Sequence, residues 1–340
     1  MTVAENTRQG ALDPAVSHVL AAVSLSPDGT GVRLGDRDVT ADRPRRLCQR
    51  LGTALYEVFH AGHAFGDKPG ILRRDPALEV PLAQAVPHAT TPVAARLLDG
   101  PAERGPGPGS PGLGGPGPGG PVATVGGVRV RLPDAAPPEL VGGVSGDGYH
   151  VLRLPTARPR LSPGFFLVDG SRGSCGPGPL VRLYIHLTDP GAAVRVWSAV
   201  LGVLEGLEVP YRSKITSSRT LLPRLDGMVV YLGAAAWHAV PAVAGAVSAA
   251  DVGPETSAFA RALAPGLSLA WEPDDARPGR SGGSFGQHRS LAIAEGVVDA
   301  MADGDLSRAH TYVLTRLAES GIDPSALHRN IDSPDLPFPH

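Results

Sequence analysis

Val181-Arg182-Leu183-Tyr184-Ile185-His186-Leu187 alternates side chains with the period of a half-buried strand. Asp189-Pro190-Gly191 interrupts it, and Ala192 to Leu207 then carries Val196, Val200, Val203, Leu204 and Leu207 at helical spacing. Val209-Pro210 ends that helix and begins a second extended run, Tyr211-Arg212-Ser213-Lys214-Ile215-Thr216. After a Ser/Arg loop and Pro223, Arg224-Leu225-Asp226-Gly227 leads into a third, Met228-Val229-Val230-Tyr231-Leu232. Strand side chains alternate faces, so Arg182, Tyr184 and His186 share one side of their strand, and Arg212 and Lys214 share one side of theirs. Two such faces on adjacent strands bring Lys, His, Tyr and Arg together, a combination suited to acid/base work on an anion.

Lys214 stands out by composition. Of 31 Lys plus Arg, only Lys68 and Lys214 are lysine. Lys68 lies in the loop-forming Gly66-Asp67-Lys68-Pro69-Gly70. Arginine keeps its proton in a protein, whereas lysine gives it up when burial or nearby cations lower its pKa. A strand lysine on a solvated face is the plain alternative. The scarcity of lysine favours a base or nucleophile.

Length and composition narrow the classes. The 340 residues can bury a large core, as one domain or two. A formal net charge of -2 argues against a nucleic-acid binder held by bulk charge. Gly (44) and Pro (35) are abundant, which points to many loops. Cys48 and Cys175 have no C-x-x-C spacing, which disfavours a zinc site or disulfide framework and fits a reducing cytoplasm. The N-terminal residues do not read as a signal peptide and no apolar run reaches transmembrane length, so a soluble cytoplasmic protein without membrane contact is expected.

Along the chain, Pro14 to Leu25 reads as a short helix, and Leu47, Leu51, Leu55, Val58 and Phe59 mark an amphipathic one from Pro44. His60 and His63 end that helix without an acidic or Cys co-ligand, which makes ordinary charge complementarity a better reading than a metal site. Gly105 to Pro121 holds only Gly and Pro apart from Ser110 and Leu113, and reads as a flexible linker or long loop. The Gly112, Gly114, Gly117 match inside it to a dinucleotide-binding fingerprint has neither the strand nor the helix that motif requires. Val128 to Leu132 and His150 to Leu154 read as strands, Ala234 to Ala250, Ser257 to Leu263 and Leu306 to Ser320 as helices. Gly282-Gly283-Ser284-Phe285-Gly286 formally matches a hydrolase nucleophile elbow, with Asp299 and His310 in permissible order. No strand precedes that serine. The better reading is a Gly-rich turn into a helix over Gln287 to Met301, whose open N–H groups and early Arg289 favour an anion; His288 beside it is a lower-ranked acid.

Val209-Pro210-Tyr211-Arg212-Ser213-Lys214, Arg224-Leu225-Asp226 and Val229-Val230-Tyr231 resemble segments of the HopA-type effector family. So do Leu161-Ser162-Pro163-Gly164-Phe165-Phe166, Arg182-Leu183-Tyr184 and Ser284-Phe285-Gly286-Gln287-His288-Arg289, in the expected order over about Tyr149 to Ala300. The resemblance implies a lyase of the phosphothreonine-lyase kind, as found in class V lanthipeptide and thioamitide biosynthesis. Such an enzyme removes phosphate from phosphoserine or phosphothreonine of a precursor peptide and leaves dehydroalanine or dehydrobutyrine. It implies a separate kinase of the aminoglycoside-phosphotransferase type as partner, acting in sequence or as a heterodimer, and no metal or organic cofactor. Effector phosphothreonine lyases carry their acid in an aromatic-His-apolar strand similar to Tyr149-His150-Val151, although Gly148 stands where they place a cation.

These readings combine into an α+β protein with helices packed on a twisted, mainly antiparallel sheet. Its expected organisation is a helical part over 1–104, the Gly/Pro segment over 105–121, an α+β lyase domain over 122–325 and a Pro-rich tail over 326–340. Lys214 is the expected base and His150 the acid, with His186 second and Tyr184 on the same strand face. Arg182, Arg212, Arg219, Arg224 and Arg289 are expected to clamp phosphate, with Asp226 orienting a cation. The competing expectation is an inactive module that binds a peptide or its kinase.

Overall fold

The computed structural model describes residues 12–26, 29, 31–64, 74–98, 122–125, 128–131, 140–142, 148–159, 161–278, 280 and 282–338. The Gly105–Pro121 segment and Lys68 lie outside them. Three antiparallel sheets are packed with seven α-helices among the described residues, so the chain is α+β. The first sheet joins β1 (Val23–Leu25), β2 (Gly31–Leu34) and β3 (Arg37–Thr40). The second has five strands drawn from β4 (Thr90–Leu97), β5 (Val122–Val125), β6 (Val128–Arg131), β7 (Leu140–Gly142) and β8 (His150–Pro155), in the order β6-β5-β4-β8-β7. The central sheet comprises β9 (Phe165–Asp169), β10 (Val181–Leu187), β11 (Arg212–Thr216), β12 (Arg224–Leu232), β13 (Arg261–Ala264) and β14 (Leu267–Trp271), in the order β13-β14-β10-β12-β11-β9.

The helices are α1 (Pro14–Ala21), α2 (Pro44–Leu55), α3 (Pro76–Gln84), α4 (Pro190–Gly206), α5 (Val240–Ala246), α6 (Phe285–Ala302) and α7 (Ala309–Glu319). Val181, Leu183, Ile185, Met228, Val230, Ile215, Phe166 and Val168 form one face of the central sheet and bury themselves with Val196, Trp197, Val200 and Leu204 of α4. On the other face Tyr184, Val229 and Ala270 pack with Leu51 and Leu55 of α2 and Ile293 and Val297 of α6. Only part of that second face is covered by helix. The uncovered part holds the site.

Four expectations are corrected. β10 is buried along its whole length, not on one side: α4 lies over one face, α2 and α6 pack on Tyr184 of the other, and Arg182 is enclosed by Glu272 and Tyr231. The helix expected through Leu25 stops at Ala21, and Val23–Leu25 instead pairs with β2. Ser257 to Leu263 is not helical: Arg261–Ala264 pairs with Leu267–Trp271 across Pro265-Gly266. Proline followed by Gly266 at φ +71° is turn chemistry that a helix cannot continue through. Residues 12–98 are not purely helical either, since they contribute β1 to β4; α1 and α2 share a core with α6 and α7, and α3 packs in the core that holds α4. The C-terminal residues join the same core through Leu327, and Asn330 donates to the Glu272 carbonyl at 2.7 Å. No helix among the described residues is long and apolar enough to cross a membrane.

Candidate active site

Registration of the central sheet brings the polar positions together. Arg182 on β10 lies opposite Tyr231 on β12, which lies opposite Arg212 on β11, which lies opposite Asp169 on β9. One row along, Tyr184, Val229, Lys214 and Leu167 are aligned in the same way. Opposed residues in antiparallel strands share a face, so Arg182, Tyr231, Arg212 and Lys214 all stand on the uncovered side.

They line two adjoining clefts of about 780 and about 310 Å³ that have Ser162, Lys214, Tyr231 and Glu272 in common. The larger is walled by Tyr56, Arg182, Arg224, the Ser162–Phe165 loop, Leu221, and Gly282, Gly283, Ser284 and Gln287 at the start of α6. The smaller adds Arg212, Cys175 and Leu180. Lys214 Nζ lies 4.3 Å from the centre of the Phe165 ring and 6.0 Å from that of Tyr231. Arg182 stacks over Tyr231 at 5.0 Å, and Arg224 over Phe165 at 5.5 Å.

Each arginine in the clefts is held side-on by a carboxylate through Nε and Nη2. Arg182 is bound to Glu272, Arg224 to Asp226, and Arg212 to Asp169 with Nε at 2.7 Å and Nη2 at 3.1 Å. This grip fixes the guanidinium fork; it leaves the Nη1 edges of Arg212 and Arg224 to a ligand, whereas Arg182 Nη1 donates to the Tyr184 hydroxyl at 3.5 Å. Among the described residues, Lys214 is the one cleft-lining cation with no carboxylate within ion-pair distance.

Beneath the larger cleft lies a buried network that grows out of α2. The helix widens into a π-helical turn over Tyr56–His60, and such turns recur at functional sites. The turn puts Tyr56 in the cleft wall and His60 under it. Arg224 Nη2 donates to the Tyr56 hydroxyl at 2.7 Å, and that hydroxyl donates to Asp226 at 3.1 Å. Burial alone would raise the Asp226 carboxyl, but the Arg224 guanidinium and then His60 hold it at about 2. His60 Nδ1 is 2.8 Å from Ser257 Oγ, and its Nε2 is 3.7 Å from Asp226. Burial lowers its pKa to about 4 against the pull of Asp226, so it is neutral near pH 7. No group of three His, Cys, Asp or Glu among the described residues could hold a metal ion.

Gly286 lets α6 approach this network. A Cβ there would fall 2.2 Å from Cδ2 of the buried His60 ring. That ring is wedged against Tyr184 at 4.9 Å and Phe285 at 5.6 Å, so it cannot swing aside. Gly286→Ala is expected to destabilise the fold by about 1–3 kcal/mol through overpacking, read as a lower urea midpoint; an unchanged midpoint would contradict the packing described.

Acid sensitivity follows from the same burial. His288, like His60, is lowered to about 4, first by burial and then by Arg289. Both values lie below the ordinary 6.5, so between about 6.5 and 4 the unfolded chain binds more protons than the folded one, and stability rises with pH. It is present in full above about 6.5 and is lost as pH falls towards 4. Each histidine adds up to about 1.4 kcal/mol per pH unit in that window. Urea unfolding at pH 7.5, 6 and 5 is expected to show the decline; equal stability at all three would contradict it.

The fold brings together Lys214, Arg182, Arg212, Arg224 and Asp226, with Tyr184 buried directly beneath Arg182, 3.5 Å from its Nη1. Other expected site residues lie elsewhere. His150 starts β8 in the five-stranded sheet, opposite Ala95, and lines neither cleft. His186 falls at the bulge of β10, against Gly253 and 3.4 Å from Glu255, and also lines neither cleft. Arg219 turns away to pair with Asp75 at 2.5 Å. Arg289 is fully buried and donates to the Leu327 carbonyl at 3.0 Å and to Asn330 at 2.8 Å, so it ties α6 to the C-terminal segment instead of meeting a ligand. His288 is engaged on both ring nitrogens, by Asp275 at 3.0 Å and Arg289 at 2.9 Å. Ser284 is not a nucleophile on an elbow: its side chain caps α6 by accepting from the Gln287 N–H, and Gln287 accepts from the Ser284 N–H in return.

Sequence reasoning passed over Tyr56, Tyr231, Glu272 and Asp169 as site residues. Tyr231 had a signal, since it is two residues from Val229 on a strand whose face can be read by alternation. Glu272 and Asp169 had none: both are joined to their arginines only through sheet register.

Comparison with known proteins agrees with the segments that build this site. The model of the HopA1 effector protein family matches residues 156–329, a little over half of the chain. The match takes in β9 to β14, Lys214, and α6. Among solved structures, the chain is similar to the effector protein from Pseudomonas syringae pv. syringae strain 61, at 16% identity and a TM-score of 0.38, covering 49% of this chain and 62% of that one. It is similar to the effector protein from Pseudomonas syringae pv. tomato strain DC3000, at 15% identity and a TM-score of 0.39, with the same 49% and 62% coverage. The chain thus spans less than two thirds of the length of either. No match was found among curated proteins. The chain belongs to the HopA1 effector protein family.

Proposed function

We propose that the chain is a lyase that β-eliminates phosphate from phosphoserine or phosphothreonine in a ribosomal precursor peptide, as in lanthipeptide-type biosynthesis. The observation that supports this reading is the position of Lys214, unpaired with any carboxylate among the described residues, where two clefts meet that are lined by Arg182, Arg212 and Arg224, the last two each keeping Nη1 clear of their carboxylate. The reaction needs a base at the substrate Cα, cations for the phosphate, and stabilisation of enolate-like charge. Lys214 takes the α-proton. Arg224 and Arg212 hold the phosphate and the developing charge through their Nη1 edges, and Arg182 adds its positive charge from the cleft wall. Asp226, Glu272 and Asp169 keep those guanidinium groups in place. Two adjoining clefts also suit a peptide better than a free amino acid, because residues flanking the phosphorylated one need room.

The phosphate is supplied by a separate kinase, since no stretch of the sequence meets the structural requirements of a phosphate-binding loop. ATP-dependent phosphorylation of a peptide by this chain alone would remove that partner from the scheme.

One observation favours a second reading, a catalytically inactive module that binds a peptide or its kinase. Neither His150 nor His186 lines the clefts. Incubation with a phosphopeptide separates the two. The lyase returns a peptide lighter by one water than its unphosphorylated parent, whereas a binding module retains the phosphopeptide unchanged, which would overturn the lyase assignment.

A further inference from the structure

Resting on the lyase reading, we infer that Tyr231 is the general acid that protonates the departing phosphate. The two clefts meet at Lys214 and Tyr231, with Ser162 and Glu272 at their shared edge. Among the described lining residues, two side chains carry a phenolic proton, Tyr56 and Tyr231. The Tyr56 proton is already committed: it is donated to Asp226 at 3.1 Å while Arg224 donates to the same oxygen at 2.7 Å. Burial and the Asp226 charge push that hydroxyl further from ionisation. Tyr231 is different. It is half-buried, its ring is held by Arg182 on one side, and its hydroxyl makes no hydrogen bond among the described residues.

The surroundings suit the task. Arg182 lies 5.0 Å from the ring centre and Lys214 Nζ lies 6.0 Å from it. Both cations thus stand over the ring, which holds the phenol beside the groups proposed to bind phosphate and take the Cα proton. The Tyr231 carbonyl also accepts from Cys175 Sγ at 2.9 Å, and the backbone is pinned between β10 and β11, which fixes the direction of the side chain. Base and acid then come from neighbouring strands on one sheet face, as a concerted or stepwise elimination requires.

Lys214, as the free amine, takes the proton from Cα. The electron pair of the C–H bond becomes the second bond between Cα and Cβ. The bond from Cβ to the bridging oxygen breaks, and that oxygen takes the Tyr231 proton as inorganic phosphate leaves. The phenolate regains a proton from solvent and Lys214 releases one, which restores both groups.

Tyr231→Phe removes one oxygen and no hydrogen bond among the described residues, so it is expected to fold and to bind a phosphothreonine peptide as the parent does. Single-turnover elimination is expected to slow by about 10²–10⁴-fold, the usual cost of a missing general acid. The test adds a second substrate, a peptide with S-phosphocysteine at the same position. Its bridging sulfur is a weaker base and leaves with little help from an acid, so Tyr231→Phe is expected to lose under about tenfold on it. Parental rates for Tyr231→Phe on phosphothreonine would overturn the acid assignment and leave the lyase reading intact. Equal losses on both substrates would overturn it too, as the mark of a structural role. If the parent chain itself eliminates from neither peptide, the lyase reading and the acid fall together.

Discussion

Lys214→Arg should fold, still bind a phosphopeptide, and eliminate phosphate about 10²–10⁴-fold more slowly than the parent, the loss expected when a general base is removed. The substitution keeps the positive charge and much of the length, and arginine can lie over the Phe165 ring as Lys214 does at 4.3 Å. What it cannot do is accept a proton, because a guanidinium stays protonated near neutrality. If Lys214 only neutralised phosphate, Arg would serve nearly as well. Arg212→Lys provides the contrast. Arg212 is one of three arginines in the clefts and is already shared with Asp169, so its replacement is expected mainly to raise KM and to leave the single-turnover rate within about tenfold. Phosphopeptide affinities and single-turnover rates for both variants check the pair. Near-parental elimination by Lys214→Arg would remove Lys214 from the base role.

Asp226→Ala is expected to cost about 3–5 kcal/mol of stability, the usual penalty for leaving one partner of a buried ion pair without its counter-charge. Arg224 and Asp226 are 9% and 4% exposed, so solvent does little to screen either. Losing the carboxylate strands the Arg224 guanidinium and also takes away the acceptor of the Tyr56 hydroxyl. Replacing both partners together, Arg224→Met with Asp226→Leu, removes the uncompensated charge and is expected to recover most of that stability. The double variant should nonetheless lose phosphopeptide affinity, since an arginine of the cleft is gone. Urea unfolding of the single and double variants tests this directly. A double variant no more stable than Asp226→Ala would show that the penalty comes from lost packing, not from the stranded charge.

Much of this architecture is legible in the residues. Alternation in Val181–Leu187 and Tyr211–Thr216 identifies the polar strand faces, and the structure puts Arg182, Arg212 and Lys214 on one side of one sheet. The helices at α2, α4 and α6 follow from apolar spacing. What alternation cannot supply is register, which decides that Tyr231 stands between Arg182 and Arg212 and that Asp169 closes the row. Nor does local sequence show where a chain end folds back. Arg289, near a helix start, reads as an open cation, yet Leu327 and Asn330 arrive from the C-terminal segment to enclose it. His60 reads as charge complementarity at a helix end, because Tyr184 and Phe285, which bury it, come from elements distant in sequence. The hairpin at Pro265-Gly266 was within reach, since that dipeptide is a turn signal that outranks a short apolar run.

The central claim is that the Lys214 cleft removes a Cα proton and phosphate in one reaction. A phosphothreonine peptide carrying deuterium at Cα, mixed with excess chain in a single turnover and read by mass spectrometry, tests it most directly. Elimination at this cleft gives dehydrobutyrine, with the Cα deuteron and the phosphate lost together from every converted molecule. A peptide that loses phosphate while keeping its deuterium as threonine, or one returned with both still in place, would contradict it.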